Sequence, residues 1–526
     1  VQLAALLRRL LGDLPADLLK LVASHAEWHQ LKSGDLLIGQ GQQVESLYII
    51  ASGRLQRLYR DVESAPDGSS ATITEVGTLN AGEMLGSLLD KGPYPTTVCA
   101  TRETTLIELP RALYEQLWQR YPQSVLPLLK QLSQQQRAIL QSFRPVPDVH
   151  PSVPRTIAII PASGRVDLNG FIRSLCAALA QHASVRILNR ETVEQHFQRQ
   201  HIADIPQHHP MLPLLVDWLN AQEQTHDHLL YVGDDRWSEW TQRCLSQADR
   251  VLIVTDMLDD PGRDDPAPTR IEEAVYAERD QVKGARGEAI TAAIELVLMH
   301  QPCAEQPRGT AAWLDARPVA GHYHVRWGNA QDYGALARRL TGNAIGVVLS
   351  GGGAKGLVHL GLLRYLEEQR LPCDLVGGTS IGALIATPFA LQWPHALSMS
   401  CISQFSRPNA LFDYTLPLVS VFASNKVTEM LASVFGQRRI EDLWRPYFSI
   451  STDLTASEMV IHERGLLWRA VRASLSSPGL FAPVISEGNN ATAGHLLVDG
   501  GIMNNFPVDV MRQRIGSGQI IGANVA

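Results

Sequence analysis

Gly377-Gly378-Thr379-Ser380-Ile381-Gly382-Ala383 decides the reading of this chain. The stretch follows the apolar Leu375-Val376 and belongs to a run without charge that ends at position 394. An apolar segment closing on glycines, followed by small helix-compatible residues, is the pattern of a strand that turns sharply into a helix. In Gly378-x-Ser380-x-Gly382 the small flanking residues tolerate that turn, the nucleophile elbow, which pushes the serine hydroxyl outward. Ser380 is therefore the candidate nucleophile. By length 375–394 could span a bilayer, but its Gly377, Gly378, Thr379, Ser380, Gly382, Thr387 and two prolines favour a buried strand and helix.

Working backward, Ile345-Gly346-Val347-Val348-Leu349 reads as a strand, Ser350-Gly351-Gly352-Gly353-Ala354-Lys355-Gly356 as a turn, and 357–369 as a helix. Glycines at such a turn let backbone N–H groups converge on an anion, and the helix N-terminus adds favourable potential. Gly351-x-Gly353-x-x-Gly356 also has the spacing of a dinucleotide fingerprint, and Asp374 lies roughly 20 residues on, where a ribose-binding acid is expected. Asp374 precedes Leu375-Val376, however, and so belongs at the end of the strand remote from the turn. The loop is read instead as an oxyanion cradle made by Gly351, Gly352, Gly353 and Ala354, with Lys355 and Gly356 in support. Lys355 is either a solvated first-turn residue or a charge near a substrate phosphate.

A serine hydroxyl is a poor nucleophile at neutral pH and needs a base. A Ser-Asp-His set can be assembled on paper from Asp413, Asp442 or Asp453 with His462 or His495, but nothing around those histidines marks them. Leu496-Leu497-Val498-Asp499-Gly500-Gly501 ends an apolar strand in a carboxylate followed by a flexible turn, and Asp499 is the candidate base. On its own that motif would be an ordinary turn.

The remainder is organised around this region. With 526 residues, 45% of them hydrophobic, the chain exceeds one core and predicts several domains. The formal charge of −7 and the lack of a basic block exclude nucleic acid as an expected partner. Cys99, Cys176, Cys244, Cys303, Cys373 and Cys401 lie scattered, as in a reducing, cytoplasmic compartment. Residues 1–142 combine helical patterns with short strand-like runs at 36–38, 47–50, 73–76 and 106–109, which predicts a small β-barrel with helices, including 111–120 and 124–142. Pro145, Pro147, Pro151 and Pro154 mark 143–155 as a linker. Over 156–343 the β-branched runs 157–160, 185–188, 229–232, 251–254 and 294–298 alternate with helical stretches, predicting a parallel sheet covered by helices. Residues 259–270 read as a surface loop, and 344–526 form the domain of Ser380. Pro388, Phe389, Leu391 and Trp393, with 414–422, read mostly as core, an acyl channel or membrane lip being the other reading.

SGGGAKG, GGTSIGA and VDGG, in that order, resemble the patatin-like phospholipases. Further stretches resemble the neuropathy target esterase subfamily: Ala162-Ser163, Trp240-Thr241-Gln242-Arg243-Cys244, Gln247-Ala248-Asp249, 340–345, 440–444, 452–457 and 468–474. In the first domain Gly34-Asp35, Gly41-Gln42, Leu47-Tyr48-Ile49-Ile50, Ser52-Gly53-Arg54, Gly82-Glu83 and Thr97-Val98 resemble a cyclic-nucleotide-binding domain. There Ser87 and Tyr94 stand where that family has a ribose-binding Glu and a phosphate-binding Arg, so cyclic nucleotide is not an expected ligand. The resemblance implies a patatin-like α/β/α catalytic domain, a Ser380–Asp499 dyad without histidine, and hydrolysis of phospholipid or lysophospholipid acyl esters at a membrane surface. It calls for no cofactor and no metal. A peripheral attachment to the membrane is expected, and the start at Val1 leaves room for an upstream anchor. The family's catalytic region usually runs past the equivalent of 524–526, so a C-terminal truncation is also expected. The alternative reading is a cyclic-nucleotide-responsive regulator with incidental esterase activity.

Overall fold

The structure is a computed structural model and describes residues 22, 24–32, 34–44, 46–61, 72–86, 93–113, 153–206, 209–257, 267–286, 292–405, 413–486 and 494–525. The helical patterns expected near the N-terminus and over 124–142, most of the 111–120 helix, most of the 143–155 linker and the 259–270 loop, and Ser87 lie outside the described residues.

In the first domain β1 (Glu27–Leu31), β8 (Thr104–Pro110), β3 (Ser46–Ser52) and β6 (Met84–Gly86) pair in that order. A second antiparallel sheet runs β2 (Leu36–Ile38), β7 (Thr97–Ala100), β4 (Arg54–Asp61), β5 (Thr72–Asn80). Alternation along these strands turns Ile38, Ile50, Leu55, Val98 and Leu106 into one core between the sheets. β4 contributes more than packing. Arg54 and Arg102 reach across to Glu223 of the middle domain, and Arg54 also meets Asp249. Burial pushes the Asp249 carboxyl up, but Arg54 and Arg102 outweigh it and hold it below the ordinary carboxylate value. Its other oxygen accepts from the N–H groups of Arg155 (2.8 Å) and Thr156 (3.0 Å).

The middle domain is a six-stranded parallel sheet in the order β10 (Val185–Leu188), β11 (His228–Val232), β9 (Thr156–Pro161), β12 (Arg250–Asp256), β13 (Ala293–His300), β14 (Gly321–Arg326). Two hydrophobic clusters cover its faces, one around Leu215, Trp240 and Ile253, the other around Phe171, Leu252 and Tyr333. Five strands match the expected runs. The sixth, β14, reads Gly-His-Tyr-His-Val-Arg, and its histidines face the catalytic domain. His322 and His324 both donate through Nε2 to the Glu441 carbonyl, at 3.1 and 2.9 Å. The His324 Nδ1 is left to accept, 2.9 Å from the His300 Nε2. Burial pushes His300 and His322 down to about 4 and holds His324 well below its ordinary value, which favours the neutral form of all three at neutral pH.

The third domain carries β15 (Ile345–Leu349), β16 (Leu375–Thr379), β18 (Tyr447–Asp453), β19 (Glu458–His462), β21 (Val484–Ile485), β22 (Leu496–Asp499) and β23 (Gln519–Ala523), in the order β21-β22-β18-β16-β15-β23 with β19 on β18. A short pair, β17 (Ser420–Phe422) and β20 (Gly479–Phe481), lies apart from it. The sheet is mixed: β15, β16, β18 and β23 are parallel, whereas β19, β21 and β22 join antiparallel. Register then explains the site. One edge of β18 pairs with β19 over 449–453. The other edge pairs first with β16 up to Thr379↔Ile450 and then with β22 from Ser451↔Asp499 onward. β16 and β22 therefore meet end to end on one edge of β18, with Ser380 and Asp499 at the junction. The helices Ile381–Ala390 and His359–Glu368 pack on one face of the sheet through Leu384, Ile385, Phe389 and Leu363, and Val508–Ile515 covers the other through Val510 and Met511.

The neutral histidines at the Glu441 carbonyl give the fold a defined acid response. Their ordinary value is 6.5 and their folded values are depressed, so the unfolded chain binds the extra protons; stability is complete above about 6.5 and is lost as pH falls toward about 4. We expect the melting temperature to drop between about pH 6.5 and 5, before carboxylates titrate. His322→Gln, which keeps a donor for the Glu441 carbonyl, should flatten that drop in a fluorimetric melt series.

Candidate active site

The elbow is built as the glycines demand. Ser380 has φ 55° and ψ −125°, a conformation that L-residues adopt only when their surroundings impose it. A Cβ on Gly378 would stand 2.5 Å from the Leu349 carbonyl oxygen and 2.8 Å from the Gly382 carbonyl carbon; one on Gly382 would strike the Leu349 and Ser350 carbonyls. The strand-to-helix turn thus packs backbone against backbone. Thr379 Oγ1 donates to the Asn504 carbonyl at 2.8 Å, and the Ser380 N–H donates to Ser474 Oγ at 2.8 Å.

Ser380 Oγ lies 2.7 Å from Asp499 Oδ2. The carboxylate is held on every side: Ser477 Oγ donates to the same oxygen at 2.8 Å and the Gly501 N–H to Oδ1 at 2.8 Å. Its own N–H donates to the Ser476 carbonyl at 2.9 Å, and a Cβ on Gly500 would strike the Ile450 carbonyl, so no side chain fits there. Behind the 474–482 turn sits Arg472, 4% exposed, donating to Ser476 Oγ, to Thr428 Oγ1 (3.1 Å) and to the Ala482 carbonyl (2.9 Å). Burial lowers its guanidinium to about 10. Ser474, Ser477 and Arg472 were given no role by sequence reasoning, because their contacts with the site join elements distant along the chain.

The glycine loop follows β15 as expected, with Gly353–Val358 forming a 3₁₀ helix. One residue differs from expectation. The Gly351 N–H is engaged with the Asn505 carbonyl at 3.0 Å, so Gly351 is not a free oxyanion donor; it packs instead against Ser380, its added Cβ falling 3.2 Å from the serine Cβ. At the helix start the N–H groups of Gly352, Gly353 and Ala354 have no acceptor in the preceding turn. Gly356 abuts Ile381 of the elbow helix, while Lys355 is exposed.

His462 and His495, considered as bases, are placed elsewhere, and so is His359. His359 is fully buried with Nε2 2.9 Å from the Ser350 carbonyl, and His462 sits 2.7 Å from Ser451 Oγ with its pKa held down to about 4 by burial. His495 does meet Asp453, at 2.6 Å, but it precedes Asp499 by four residues of extended chain, about 13 Å. Asp413 accepts backbone N–H groups of Ser424 (2.9 Å) and Asn425 (2.7 Å), and Asp442 that of Thr310 (3.0 Å). Asp374 is at the remote end of β16, as expected, bound by Arg338 (2.6 Å) and the Ile345 N–H (2.9 Å). Among the described residues one group, Glu27, His29 and Glu108, brings three possible metal-ligand atoms within 4.8 Å of one another, and it lies on the N-terminal sheet. In that domain Tyr94 closes the turn at Gly41–Gln42 through 2.8 Å backbone bonds.

The third domain thus sets a strained serine elbow between a glycine-rich turn and a carboxylate, on a sheet covered by helices on both faces. Three family models match: "Patatin-like phospholipase" over 347–512, "Neuropathy Target Esterase family P-loop like domain" over 154–344, and "Cyclic nucleotide-binding domain" over 28–121. The chain is 32% identical over 545 residues to patatin-like phospholipase domain-containing protein 6 of Mus musculus, covering 95% of this chain and 38% of that protein. It is likewise 32% identical over 546 residues to neuropathy target esterase sws of Drosophila melanogaster, covering 95% of this chain and 36% of that protein. The chain belongs to the patatin-like phospholipase family, in its neuropathy target esterase branch. It spans less than two-fifths of the length of these relatives.

The backbone contact at the elbow can be tested without reference to chemistry. Gly382→Ala should destabilise the third domain by about 3 kcal/mol, the upper end for overpacking, because the obstacles are carbonyl groups and not movable side chains. Gly361→Ala, on an open helix face with nothing within 4 Å of the new methyl, should be neutral or better. Urea unfolding of the two variants compares them directly.

Proposed function

We propose that this chain is a serine esterase that hydrolyses acyl esters of phospholipids or lysophospholipids, with Ser380 as nucleophile and Asp499 as its general base. The observation that carries the reading is the 2.7 Å bond between Ser380 Oγ and Asp499 Oδ2 on a serine held at φ 55°. Family membership supports lipid esters as the substrate class. The activity is assigned to the region from 344 onward, with 1–142 and 156–343 as accessory domains joined through 143–155.

In the proposed mechanism Ser380 gives its proton to Asp499 Oδ2 as Oγ attacks the ester carbonyl. The developing oxyanion falls to the N–H groups of Gly352, Gly353 and Ala354, each worth roughly 3 kcal/mol in the transition state. Collapse of the tetrahedral intermediate expels the alcohol, which takes the proton from Asp499. Water, deprotonated by the same carboxylate, then attacks the acyl-serine; the acyl–Oγ bond breaks, the fatty acid leaves, and Ser380 Oγ takes the proton back from Asp499. Ser477 and the Gly501 N–H hold the carboxylate on the serine throughout. The proposed substrate class implies work at a membrane surface, with peripheral attachment as part of the proposal. Among the described residues no helix is long and apolar enough to cross a membrane.

Ser380→Ala and Asp499→Asn should each abolish fatty-acid release from a lysophospholipid and phospholipid panel read by mass spectrometry, with circular-dichroism melts near the parent's. A phosphonate ester should label Ser380 in the parent and not in Asp499→Asn. Near-normal turnover in Asp499→Asn combined with its loss in His359→Gln, His462→Gln or His495→Gln would replace the dyad by a histidine triad.

The N-terminal domain is proposed not to bind cyclic nucleotide, since Tyr94 occupies the position of the phosphate-binding cation. Calorimetry of the whole chain with cyclic AMP and cyclic GMP should show no heat at micromolar concentration, and saturable binding would restore a sensor role.

A further inference from the structure

Between Asp413 and Lys426 no residue carries a charge: the sequence runs Tyr-Thr-Leu-Pro-Leu-Val-Ser-Val-Phe-Ala-Ser-Asn. A run of this kind reads as core, yet the structure turns it outward. Tyr414 is 79% exposed, Leu416 73%, Leu418 84% and Val419 69%. They are not on a loose loop. The Ala423 N–H donates to the Asp413 carbonyl (2.8 Å) and the Thr415 N–H to the Val421 carbonyl (3.0 Å), which makes 413–423 a hairpin with 416–419 at its tip. The Asp413 carboxylate clamps the base by accepting the N–H groups of Ser424 and Asn425. Phe422, 6% exposed, anchors the hairpin between Tyr414 and Phe481, at ring-centroid distances of 5.1 and 5.6 Å.

The base of the hairpin is continuous with the Ser380 site. Ser420 and Phe422 pair with Gly479 and Phe481, and the Ala482 N–H donates to Ser424 Oγ at 2.9 Å. Two residues before Gly479 is Ser477, whose hydroxyl rests on Asp499. Exposed apolar side chains recur on the neighbouring site elements: Leu357 and Val358 after the glycine loop, Ile502 and Met503 after Gly500-Gly501.

We propose that the 413–423 hairpin inserts its tip into a lipid bilayer and so docks the Ser380 site on the surface from which its substrate is drawn. The inference rests on the esterase reading for its purpose but not for its geometry. A narrow convex tip is a poor partner for a protein, since a stable interface takes roughly 800 Å² from each side with matching shape. A bilayer asks for no complementary shape and receives apolar groups about 5–10 Å below its headgroups. The cross-hairpin N–H bonds at Thr415 and Ala423 remove two backbone donors that would otherwise oppose entry into an apolar phase.

The test is flotation of the full chain with phosphatidylcholine vesicles, using the parent, Leu416→Asp/Leu418→Asp, and the conservative Leu416→Ile/Leu418→Met. The expected result is at least a tenfold loss of vesicle-bound protein in the aspartate variant alone, with unchanged melting and unchanged turnover of a soluble short-chain ester. Equal flotation of parent and aspartate variant, or no flotation of the parent, overturns the proposal. So does an equal loss of soluble-ester turnover, which would make the hairpin part of the catalytic pocket. A dimer of the parent that dissociates in the aspartate variant, seen by sedimentation velocity without vesicles, also overturns it and assigns the tip to a second copy. A parent that floats through the hairpin but cleaves no ester leaves the docking intact and removes the esterase reading instead.

Discussion

Two strands that run in opposite senses share one edge of β18 and meet where the first of them stops, and the third domain depends on that junction. β16 can stop at Thr379 only because Gly378 and Gly382 let the following helix start against the Leu349 and Ser350 carbonyls. β22 can approach only because Gly500 offers no side chain to the Ile450 carbonyl. The serine and the aspartate are therefore adjacent as a result of backbone pairing, before any side-chain preference acts. The strain at Ser380 is sustained by the same pairing, since relaxing φ would tear the helix start from the strand.

What the sequence disclosed follows from how local the governing interaction is. The elbow, the glycine turn and the Asp499 strand end were legible because each is specified within a few residues by glycines that no other residue can replace. β14 escaped notice because His322 and His324 interrupt its apolar pattern, and their partner, the Glu441 carbonyl, lies in another domain. β23 reads Gln-Ile-Ile-Gly-Ala, with two β-branched residues and no motif beside it to mark it. Arg472 and Ser474 lie in a stretch that carried a family resemblance but no role, and Ser477 lies outside any such stretch. The apolar 414–422 run was readable as hydrophobic but not as exposed, since composition does not state which side of the surface a segment occupies. Gly351 was assigned with its glycine neighbours, and only the bond to Asn505 separates it from them.

The accessory domains are joined to one another and to the catalytic domain by polar contacts that would be costly in isolation. Glu223 takes Arg54 and Arg102 out of water together, and the Glu441 carbonyl satisfies two imidazoles at once. Buried polar groups of this kind add little net stability, but parting one from its partner is costly, because the other is left buried and unpaired. A relative placement of the domains that broke these contacts would incur that cost. Residues within the stretches that resemble known families, such as Arg54 and Asp249, serve this placement.

The end-to-end meeting of β16 and β22 also bears on how such proteins diverge. Ser380 and Asp499 are separated by 119 positions, and nothing in their pairing depends on that number. Insertions or deletions between β19 and β22 leave the site intact provided that Ser451 remains opposite Asp499, whereas a shift of one residue in that register would present Val498 or Gly500 to the serine. Loop length is free and parity is not. A search for distant homologues that fixes the interval between the two motifs will miss genuine members; one that fixes the strand phase around each motif, and lets the interval float, will retain them.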